Sequence, residues 1–335
     1  MDGRAAVGLP PTAEGVLPSQ ALERAVEIGW IDAGEFKIRS PSIQPASIDL
    51  HLGDVAYRIR CSFLPDRRPV DVKLKDFIVD ELDISKEGKV LETNRPYLIP
   101  LRERLSLPND VRGKANPKSS TGRLDVFTRV ITDNSHRFDE ISTGYVGPLY
   151  LEVVPMSFAV RVREGLALNQ LRLSVGSPRL TDSDVREVHD TQPLLYRNGK
   201  PLPDSELGVA DGLFLGLDLR GDEKGRVGYR ARDFPPPLDM GRGRPYEAEE
   251  YWDSVIREEG DRIVLAPGKF YLLLSEEAVT IPPGYAAEMA AYDPTSGELR
   301  THYAGFFDPG FGFDPAGILQ GSRAALEVRA HDCRS

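Results

Sequence analysis

Residues 95–123, RPYLIPLRERLSLPNDVRGKANPKSSTGR, decide the fold, because their pattern occurs a second time in the chain. Residues 269–300, KFYLLLSEEAVTIPPGYAAEMAAYDPTSGELR, again give an apolar strand, a charged step, a proline turn and a segment that runs from serine to arginine. Self-similarity of this kind indicates how many structural units a chain contains. The sequence therefore predicts two similar units in tandem.

Four pairs of residues define this repeat. Tyr97 corresponds to Tyr271, Arg123 to Arg300, Glu152 in GPLYLEVVP to Glu327 in SRAALEVRA, and, more weakly, Asp49 in SIDLHLG to Asp218 in LGLDLRG. The first three pairs are separated by 174, 177 and 175 residues, and the fourth by 169. Chance rarely keeps the spacing so constant over three anchors, so the repeat predicts two copies of one fold.

Most of the chain consists of short apolar runs bounded by proline and glycine, a pattern typical of strands. The clear exception is SQALERAVEIGWI at 19–31, whose apolar residues have helical spacing and whose Ser19 is the expected N-cap. A polar, turn-rich segment near residue 200 separates the units, which we place at 1–203 and 204–335. The insert at 231–255 contains three consecutive prolines, which exclude a central strand there, and we expect it on the surface.

Composition limits the partners and the compartment. The 335 residues carry a formal charge of -10, which argues against non-specific binding to nucleic acid or to a membrane surface. The N-terminus lacks the apolar core of a signal peptide, and no apolar run approaches the roughly 18 residues of a membrane span. The two cysteines, Cys61 and Cys333, are too few for a disulfide framework. These features favour a cytoplasmic protein.

The segment KSSTGR at 118–123 concentrates two cations, two serines and a glycine. Such a segment can cradle phosphates, cap a helix or form a solvated turn, and the turn is the commonest of the three. Alone, Glu152 could be a charge that protects an edge strand, and Arg123 a surface cation. Serine, arginine and glutamate recur in the same order in the second unit, which favours a functional site, although duplication also copies structural residues.

With these motifs in place, the chain resembles the deoxycytidine triphosphate deaminases, relatives of the trimeric dUTPases. The resemblance is carried by KSSTGR followed by GYVGPLYLE, and by IQPASIDLHLG, REGLALNQLRL and YAGFFDPGFG. It is similar to a longer, duplicated bacterial form. The resemblance implies a mostly β fold with two tandem dUTPase-like units, each a β-clip or distorted jelly-roll barrel, and a short N-terminal helix. It further implies a homo-oligomer with sites where units meet.

The resemblance also implies a site that deaminates cytosine without the His-x-Glu and Pro-Cys-x-x-Cys ligands of zinc deaminases, which this sequence lacks. Glu152, with its pKa raised by burial, would be the general base, Ser119 would position the water and Arg123 would orient the carboxylate or stabilise charge. No catalytic metal or cofactor is implied; Mg²⁺ would arrive on the deoxynucleoside triphosphate. Lys118, Ser120 and Gly122 are candidates for phosphate contacts, because they are cationic or small enough to let the backbone approach closely. The remaining candidates are Asp139 and Gln170 for other parts of the substrate, and Ser296, Arg300, Asp308 and Glu327 as second-unit counterparts.

Neither unit carries the complete motif set. The first lacks the Asp-Pro-Gly turn, offering only Asp139 in FDEISTGYVG, whereas the second has that turn with Asp308 but loses the lysine and one serine. Either composite sites combine both units, or one unit has become a structural partner. Only eight residues follow Glu327, so the sequence predicts that the closing strands of the second unit are missing. The chain is truncated, another subunit supplies the edge, or the repeat closes differently.

The leading hypothesis is an enzyme that converts dCTP to dUTP and ammonia. A dUTP diphosphatase, or an enzyme with both activities, is the nearest rival, because the YAGFFDPGFG turn is shared with dUTPases. A catalytically silent nucleotide-binding regulator is the alternative from another class, and the incomplete units favour it.

Overall fold

The structure, a computed structural model, describes residues 14–241, 246–290, 299–301, 305–316 and 320–330. The chain is mostly β, which confirms the predicted fold class. The first half contains β1 (Gly15–Val16), β2 (Ile31–Asp32), β3 (Ile48–His51), β4 (Val55–Ile59), β5 (Ile78–Asp83), β6 (Lys89–Leu91), β7 (Tyr97–Ser106), β8 (Val111–Pro117), β9 (Val126–Thr132), β10 (Glu140–Ile141), β11 (Val146–Pro155), β12 (Val160–Val162) and β13 (Ala167–Val175).

The second half contains β14 (Leu195–Arg197), β15 (Lys200–Pro201), β16 (Arg226–Ala231), β17 (Leu238–Asp239), β18 (Trp252–Ile256), β19 (Phe270–Val279), β20 (Ala287–Glu288), β21 (Leu299–Thr301), β22 (Phe306–Phe307) and β23 (Ser322–Ala330). The α-helices are α1 (Ser19–Glu27), α2 (Val70–Leu74), α3 (Ser119–Gly122), α4 (Asp182–Thr191) and α5 (Ala248–Tyr251). Short 3₁₀ helices cover Ser40–Ser42 and Asp204–Glu206. Within the described residues, no helix is both long enough and apolar enough to cross a bilayer.

Two sheets form the first half. One has the order β1-β13-β8-β10, with β3 also on β13, and the other has the order β5-β4-β7-β11-β9, with β2 also on β7. Alternating residues of both sheets enter one apolar core, in which Leu50 of β3, Ile99 of β7 and Leu171 of β13 are fully buried. This alternation is the period-2 pattern that the strand predictions used. The predicted strands around residues 97, 149 and 170 are confirmed.

The second half has one large sheet, in the order β15-β14-β19-β16-β18, with β23 paired to β19 and β21 paired to β23. Its central strand pair, β19 and β23, has the same register as β7 and β11 of the first half. Val153 lies opposite Tyr97 and Glu152 opposite Leu98, just as Val328 lies opposite Tyr271 and Glu327 opposite Leu272. Each tyrosine hydroxyl also accepts a hydrogen bond from the backbone N–H five residues before it, at 3.1 Å for Tyr97 and 2.8 Å for Tyr271. The repeat anchors therefore occupy equivalent places.

The N-terminal helix is present, but its predicted cap is wrong. Helix α1 begins at Ser19, Pro18 is the capping residue, and no side chain caps the helix. Proline suits a helix start because its own nitrogen needs no partner. Leu22 and Ala25 of this helix are buried, so apolar packing holds it.

The segment between the halves contains a helix that the strand-dominated interpretation missed. In α4, Thr181 accepts a hydrogen bond from the Asp184 N–H, and the Asp184 carboxylate accepts one from the Thr181 N–H. This reciprocal capping satisfies two backbone groups that helix formation leaves unpaired. After it, β14 pairs with β19 of the second sheet. The boundary at residues 203/204 stays a prediction, and this pairing favours an earlier one.

The insert at 231–255 is not a surface excursion, contrary to expectation. Its β17 pairs in parallel with β12 of the first half, and Leu238 and Tyr251 are buried in the first-half core. The rings of Tyr251 and Trp252 meet the edge of Phe158, with centroids 5.7 and 5.2 Å apart. Aromatic packing of this kind stabilises a buried position for the insert, although its composition is polar and rich in proline. The insert therefore joins the halves.

Candidate active site

The KSSTGR segment forms α3, a single helical turn with Lys118 as the residue that precedes it. The turn buries Thr121 and Gly122 and exposes Ser119, Ser120 and Arg123. The Lys118 N–H donates to the carbonyl of Leu168 on β13 at 3.0 Å, which fixes the start of the turn to the sheet. Two hydroxyls and a guanidinium are thus presented on one rigid turn.

Glu327, on β23 of the second half, lies against this turn. A Cβ atom at Gly122 would be only 2.5 Å from Glu327 Oε2 and 2.9 Å from Oε1, so no side chain fits at residue 122 without displacing the carboxylate. The sequence argument predicted that Gly122 allows a close approach by phosphate. In the structure, the group that approaches is Glu327.

The Glu327 carboxyl is buried, with 9% of the residue exposed. Burial raises its pKa to about 8, the nearby Asp125 charge adds to the rise, and the Arg123 guanidinium opposes it. Loss of hydration disfavours the charged carboxylate and so raises the pKa, whereas a neighbouring cation favours the charged form and lowers it. The result is a carboxyl group that can accept and return a proton near neutral pH.

Glu152, the base that the sequence argument favoured, lies elsewhere in the chain. It is fully buried on β11, opposite Arg129 of β9, and its Oε1 accepts a hydrogen bond from Arg129 Nη2 at 2.6 Å. Among the described residues, Glu152 Oε2 has no hydrogen-bond partner. Pro155, which pairs with Val126 at the start of β9 after α3, is three residues further along the strand, a distance of about 10 Å. Within one chain, the structure does not bring Glu152 to Ser119 and Arg123.

Asp139 belongs to the same first-half cluster as Glu152. Its backbone has a φ of 62°, and its Oδ1 accepts a hydrogen bond from the Val130 N–H at 2.7 Å. Burial raises the pKa of Asp139 to about 7, and the Glu152 charge contributes to the rise. Arg129 opposes the rise in the Asp139 pKa and forms an ion pair with Glu152. It also stacks on Phe138, with its guanidinium carbon 3.7 Å from the ring centroid. These residues form a second acidic cluster, separate from α3.

The Asp-Pro-Gly turn of the second half lies on the first-half sheet. Arg172 of β13 contacts Asp308 Oδ1 at 3.4 Å, donates to the Ala287 carbonyl at 2.9 Å, and stacks on Phe306 at 4.0 Å. The Ala46 N–H also hydrogen-bonds the Asp308 carboxyl. Burial raises the pKa of Asp308, and Arg172 limits the rise. The second-half turn is therefore held by first-half residues.

Asp49 on β3 interacts both with Lys118, at the start of α3, and with Asp308 of the second half. Its carboxylate forms an ion pair with Lys118, and its charge also acts on Asp308. Gln170 lies beside Asp49 in the β13–β3 pairing and accepts a hydrogen bond from Ser47 at 3.2 Å. Lys118, Gln170, Asp308 and Glu327 thus border one seam between the halves. Of the second-unit candidates, Ser296 and the side chain of Arg300 lie outside the described residues.

Sequence reasoning missed four residues that build this seam: Asp49, Asp125, Arg172 and Arg329. Asp49 is one of the repeat anchors, so the sequence contains a signal for it. Arg172 follows Gln170 by two residues on the same strand, so the alternation of β13 could have placed both on one face. Asp125 and Arg329 have no motif of their own, and only the tertiary structure pairs them.

A cavity of about 360 Å³ adjoins α3 on the first-half side. Its walls include Ser120 and Leu124 beside the helical turn, and Tyr246 and Trp252 from the insert. The insert thus supports the wall next to the serines of α3.

Comparison with known proteins agrees with this arrangement. The family model of the N-terminal domain of 2'-deoxycytidine 5'-triphosphate deaminase matches residues 13–177, and that of the C-terminal domain matches residues 181–334. The crystal structure of 2'-deoxycytidine 5'-triphosphate deaminase from Agrobacterium tumefaciens is 43% identical and superposes with a TM-score of 0.88, covering 95% of this chain and 90% of that one.

Two shorter curated relatives also match. The dCTP deaminase of Ignicoccus hospitalis is 30% identical over 125 residues, which are 34% of this chain and 65% of that protein. The dCTP deaminase of Sulfurisphaera tokodaii is 29% identical over 153 residues, which are 45% of this chain and 74% of that protein. Because the two family models together match nearly the whole sequence, the chain belongs to the 2'-deoxycytidine 5'-triphosphate deaminase family.

Proposed function

We propose that this chain deaminates dCTP to dUTP and ammonia, and that its working base is Glu327. The observation that carries the proposal is the Glu327 carboxyl, with a pKa raised to about 8, packed against Gly122 beside Arg123. A base poised near the working pH is efficient in general acid–base catalysis. The site is composite, with the hydroxyls and the guanidinium from the first half and the carboxylate from the second.

In the proposed reaction, water adds through its oxygen to C4 of the cytosine ring. Glu327 takes one proton from this water and delivers it to N3, and the second water proton moves through the same carboxylate to the amino group. The C4–N bond then breaks, ammonia leaves, and the C4 carbonyl of uracil forms. Ser119 orients the water, and Arg123 stabilises the charge that develops near the carboxylate.

The remaining substrate contacts are proposed from the positions of residues along the seam between the halves. Lys118 and Ser120 would bind the triphosphate, and phosphate would compete with Asp49 for the Lys118 ammonium. Asp308, which Arg172 holds, would contact the deoxyribose. Mg²⁺ would enter as part of the nucleotide substrate. Gln170 remains a candidate contact because it lies beside Asp49 on the same sheet.

Glu152 and Asp139 would form a second site only if another copy of the chain supplied a segment equivalent to α3. We therefore propose a homo-oligomer, with the segment that contains Ser296 and Arg300 as the candidate contribution. The matching registers of β7–β11 and β19–β23 support the tandem origin of the two halves. A cytoplasmic location is part of the same proposal.

The test compares two isosteric variants. Purified protein is incubated with dCTP, and ammonia and dUTP are measured. We expect Glu327→Gln to abolish deamination at the composite site while the variant still binds dCTP, because the amide keeps the shape but accepts no proton. Glu152→Gln is the matched control. Full activity in Glu327→Gln together with loss in Glu152→Gln would return the assignment to Glu152.

Product analysis also separates the alternatives. Pyrophosphate released from dUTP would support a diphosphatase or an enzyme with both activities. Stabilisation by nucleotides with no product at all would support a silent regulator.

A further inference from the structure

We propose that Asp125 and Arg329 act as a positioning pair that holds the Glu327 carboxylate against α3. This inference rests on the proposed function and adds two working residues to it. The pair joins the first half to the second at the point where the base meets the turn that carries Ser119 and Arg123.

Asp125 follows α3 by three residues and is hydrogen-bonded to its last residue. It is fully buried, and its φ of 54° lies in the left-handed region, which few residues other than glycine, asparagine and aspartate adopt readily. Its N–H donates to the Gly122 carbonyl at 2.8 Å, and its own carbonyl accepts from the Met156 N–H at 2.9 Å. Its Oδ2 accepts a hydrogen bond from Ser157 Oγ at 2.5 Å and one from Arg329 Nη2. The carboxylate is thus fixed and directed at the other half.

Arg329 lies two residues after Glu327 on β23, so both side chains project from the same face of the strand. Its side chain is 13% exposed. Nη2 forms the ion pair with Asp125, and Nη1 donates to the carbonyl of Gly268 beside β19. Because one guanidinium is bound at both ends, β23 has little freedom to slide along α3.

The two contacts between β23 and the α3 turn form one register. Glu327 meets Gly122, and two residues later Arg329 meets Asp125, three residues beyond Gly122. A shift of β23 by one residue would turn Glu327 to the opposite face of the sheet. The ion pair opposes this shift because Asp125 is buried and would lose its cation.

The pair also sets the charge around the base. Among the described residues, the charged groups that act on the Glu327 carboxyl are Arg123, which lowers its pKa, and Asp125, which raises it. On the neighbouring strand β19, the apolar Leu272 lies opposite Glu327. Asp125 raises the pKa of Glu327. Neutralising Asp125 would remove this effect, and the loss of a nearby negative charge favours ionised Glu327.

The test is Asp125→Asn in the full-length protein. Asparagine keeps the volume, retains an acceptor oxygen and tolerates a positive φ, so the variant should fold. We expect kcat for dCTP to fall about tenfold or more with little change in KM, because misplacement of the base affects the reaction step. The acidic limb of the kcat/KM profile should move to lower pH. A structural role alone would lower the melting temperature and leave this limb in place.

Two further variants sharpen the result. Arg329→Lys keeps the cation but loses the planar fork, so we expect an intermediate kcat and a smaller shift of the limb than in Asp125→Asn. Lys114→Gln removes another ion pair between the halves, Lys114 with Glu288 at 2.6 Å on the surface, and should leave the limb unchanged. A wild-type kcat and an unmoved limb in Asp125→Asn would overturn the proposal.

Hydrogen–deuterium exchange gives a readout that does not depend on turnover. We expect amides of residues 322–330 to exchange faster in Asp125→Asn than in the wild type. Unchanged exchange there would overturn the positioning pair even if dCTP is deaminated. Wild-type protein that releases no ammonia from dCTP would instead overturn the proposed function.

Discussion

At the scale of single residues, the contact between Gly122 and Glu327 explains why a glycine stands in KSSTGR. The usual argument from backbone freedom does not apply, because Gly122 is in the helical turn and is absent from the residues with positive φ. Space is the requirement, since a Cβ atom would enter the carboxylate. Sequence alone predicted the close approach, but it could not identify the approaching group, which lies 205 residues further along the chain.

Gly122→Ala should therefore separate activity from stability. We expect kcat for dCTP to fall at least about tenfold, because the carboxylate is displaced. Stability should change by no more than about 1 kcal/mol, because alanine suits a helical turn. Steady-state kinetics and urea denaturation measure the two effects. Gly284→Ala is the control, because a Cβ atom there meets nothing within 4 Å; an equal loss of activity in both variants would contradict the steric argument.

The raised pKa of Glu327 also predicts how stability depends on pH. The carboxyl has a pKa of about 8 in the folded protein against an ordinary value of 4.5, so the unfolded chain ionises first as the pH rises. The group therefore opposes folding increasingly between these two values, and the effect is constant above them. Glu327→Gln should gain stability relative to the wild type from pH 5 to pH 8.5. Urea midpoints at both ends test this, and a difference that does not grow with pH would contradict it.

At the scale of elements, strands were predictable wherever apolar residues alternate between proline and glycine boundaries, as in β7, β11 and β13. Helix α4 was missed because its composition is polar. The insert was misplaced because three prolines dominate its sequence, whereas its position is set by the aromatic contacts of Tyr251 and Trp252. Such contacts depend on tertiary packing, which periodicity does not encode.

The contribution of the α4 cap to stability can be tested directly. Thr181→Ala removes the side-chain oxygen that accepts the Asp184 N–H, at 3.3 Å, and should lower the free energy of unfolding by about 1 kcal/mol. Thr181→Ser keeps that oxygen and should retain most of the stability. Chemical denaturation of both variants is the measurement. Equal losses would mean that the threonine methyl group, and not the cap, matters.

A buried pair, His51 and Glu103, joins β3 to β7. The fully buried Glu103 accepts hydrogen bonds from His51 Nδ1 at 2.6 Å and from the His51 N–H at 2.9 Å. Glu103→Ala would leave both donors unsatisfied and should cost about 3 kcal/mol of stability. Glu103→Gln, which retains an acceptor, should cost less. Urea unfolding distinguishes them, and a loss below about 1 kcal/mol for alanine would contradict the buried-pair argument.

At the scale of the whole molecule, the seam between the halves is both a structural interface and the candidate site. The sequence motifs allowed sites built from both halves, because each half lacks a motif that the other has. The structure brings α3 and Glu327 together, and Asp308 to Arg172. Which glutamate meets which serine depends on how the halves dock, and no local pattern in the sequence specifies docking.

Arg172→Leu should reveal this double role. The buried guanidinium holds Asp308 and the carbonyls of Ala287 and Phe307, so its loss should cost about 3 kcal/mol of stability and raise KM for dCTP. The surface variant Lys114→Gln should cost less than about 1 kcal/mol. Denaturation and steady-state kinetics test both, and an unchanged KM in Arg172→Leu would remove Asp308 from the proposed substrate contacts.

The composite arrangement within one chain has a kinetic consequence. A covalent tether keeps α3 and β23 at a fixed effective concentration, so dilution cannot separate the two sides of the Glu327 site. Any site completed around Glu152 by a second copy has no such tether and would be lost once subunits part. Specific activity followed down a dilution series would thus report how much turnover belongs to each carboxylate.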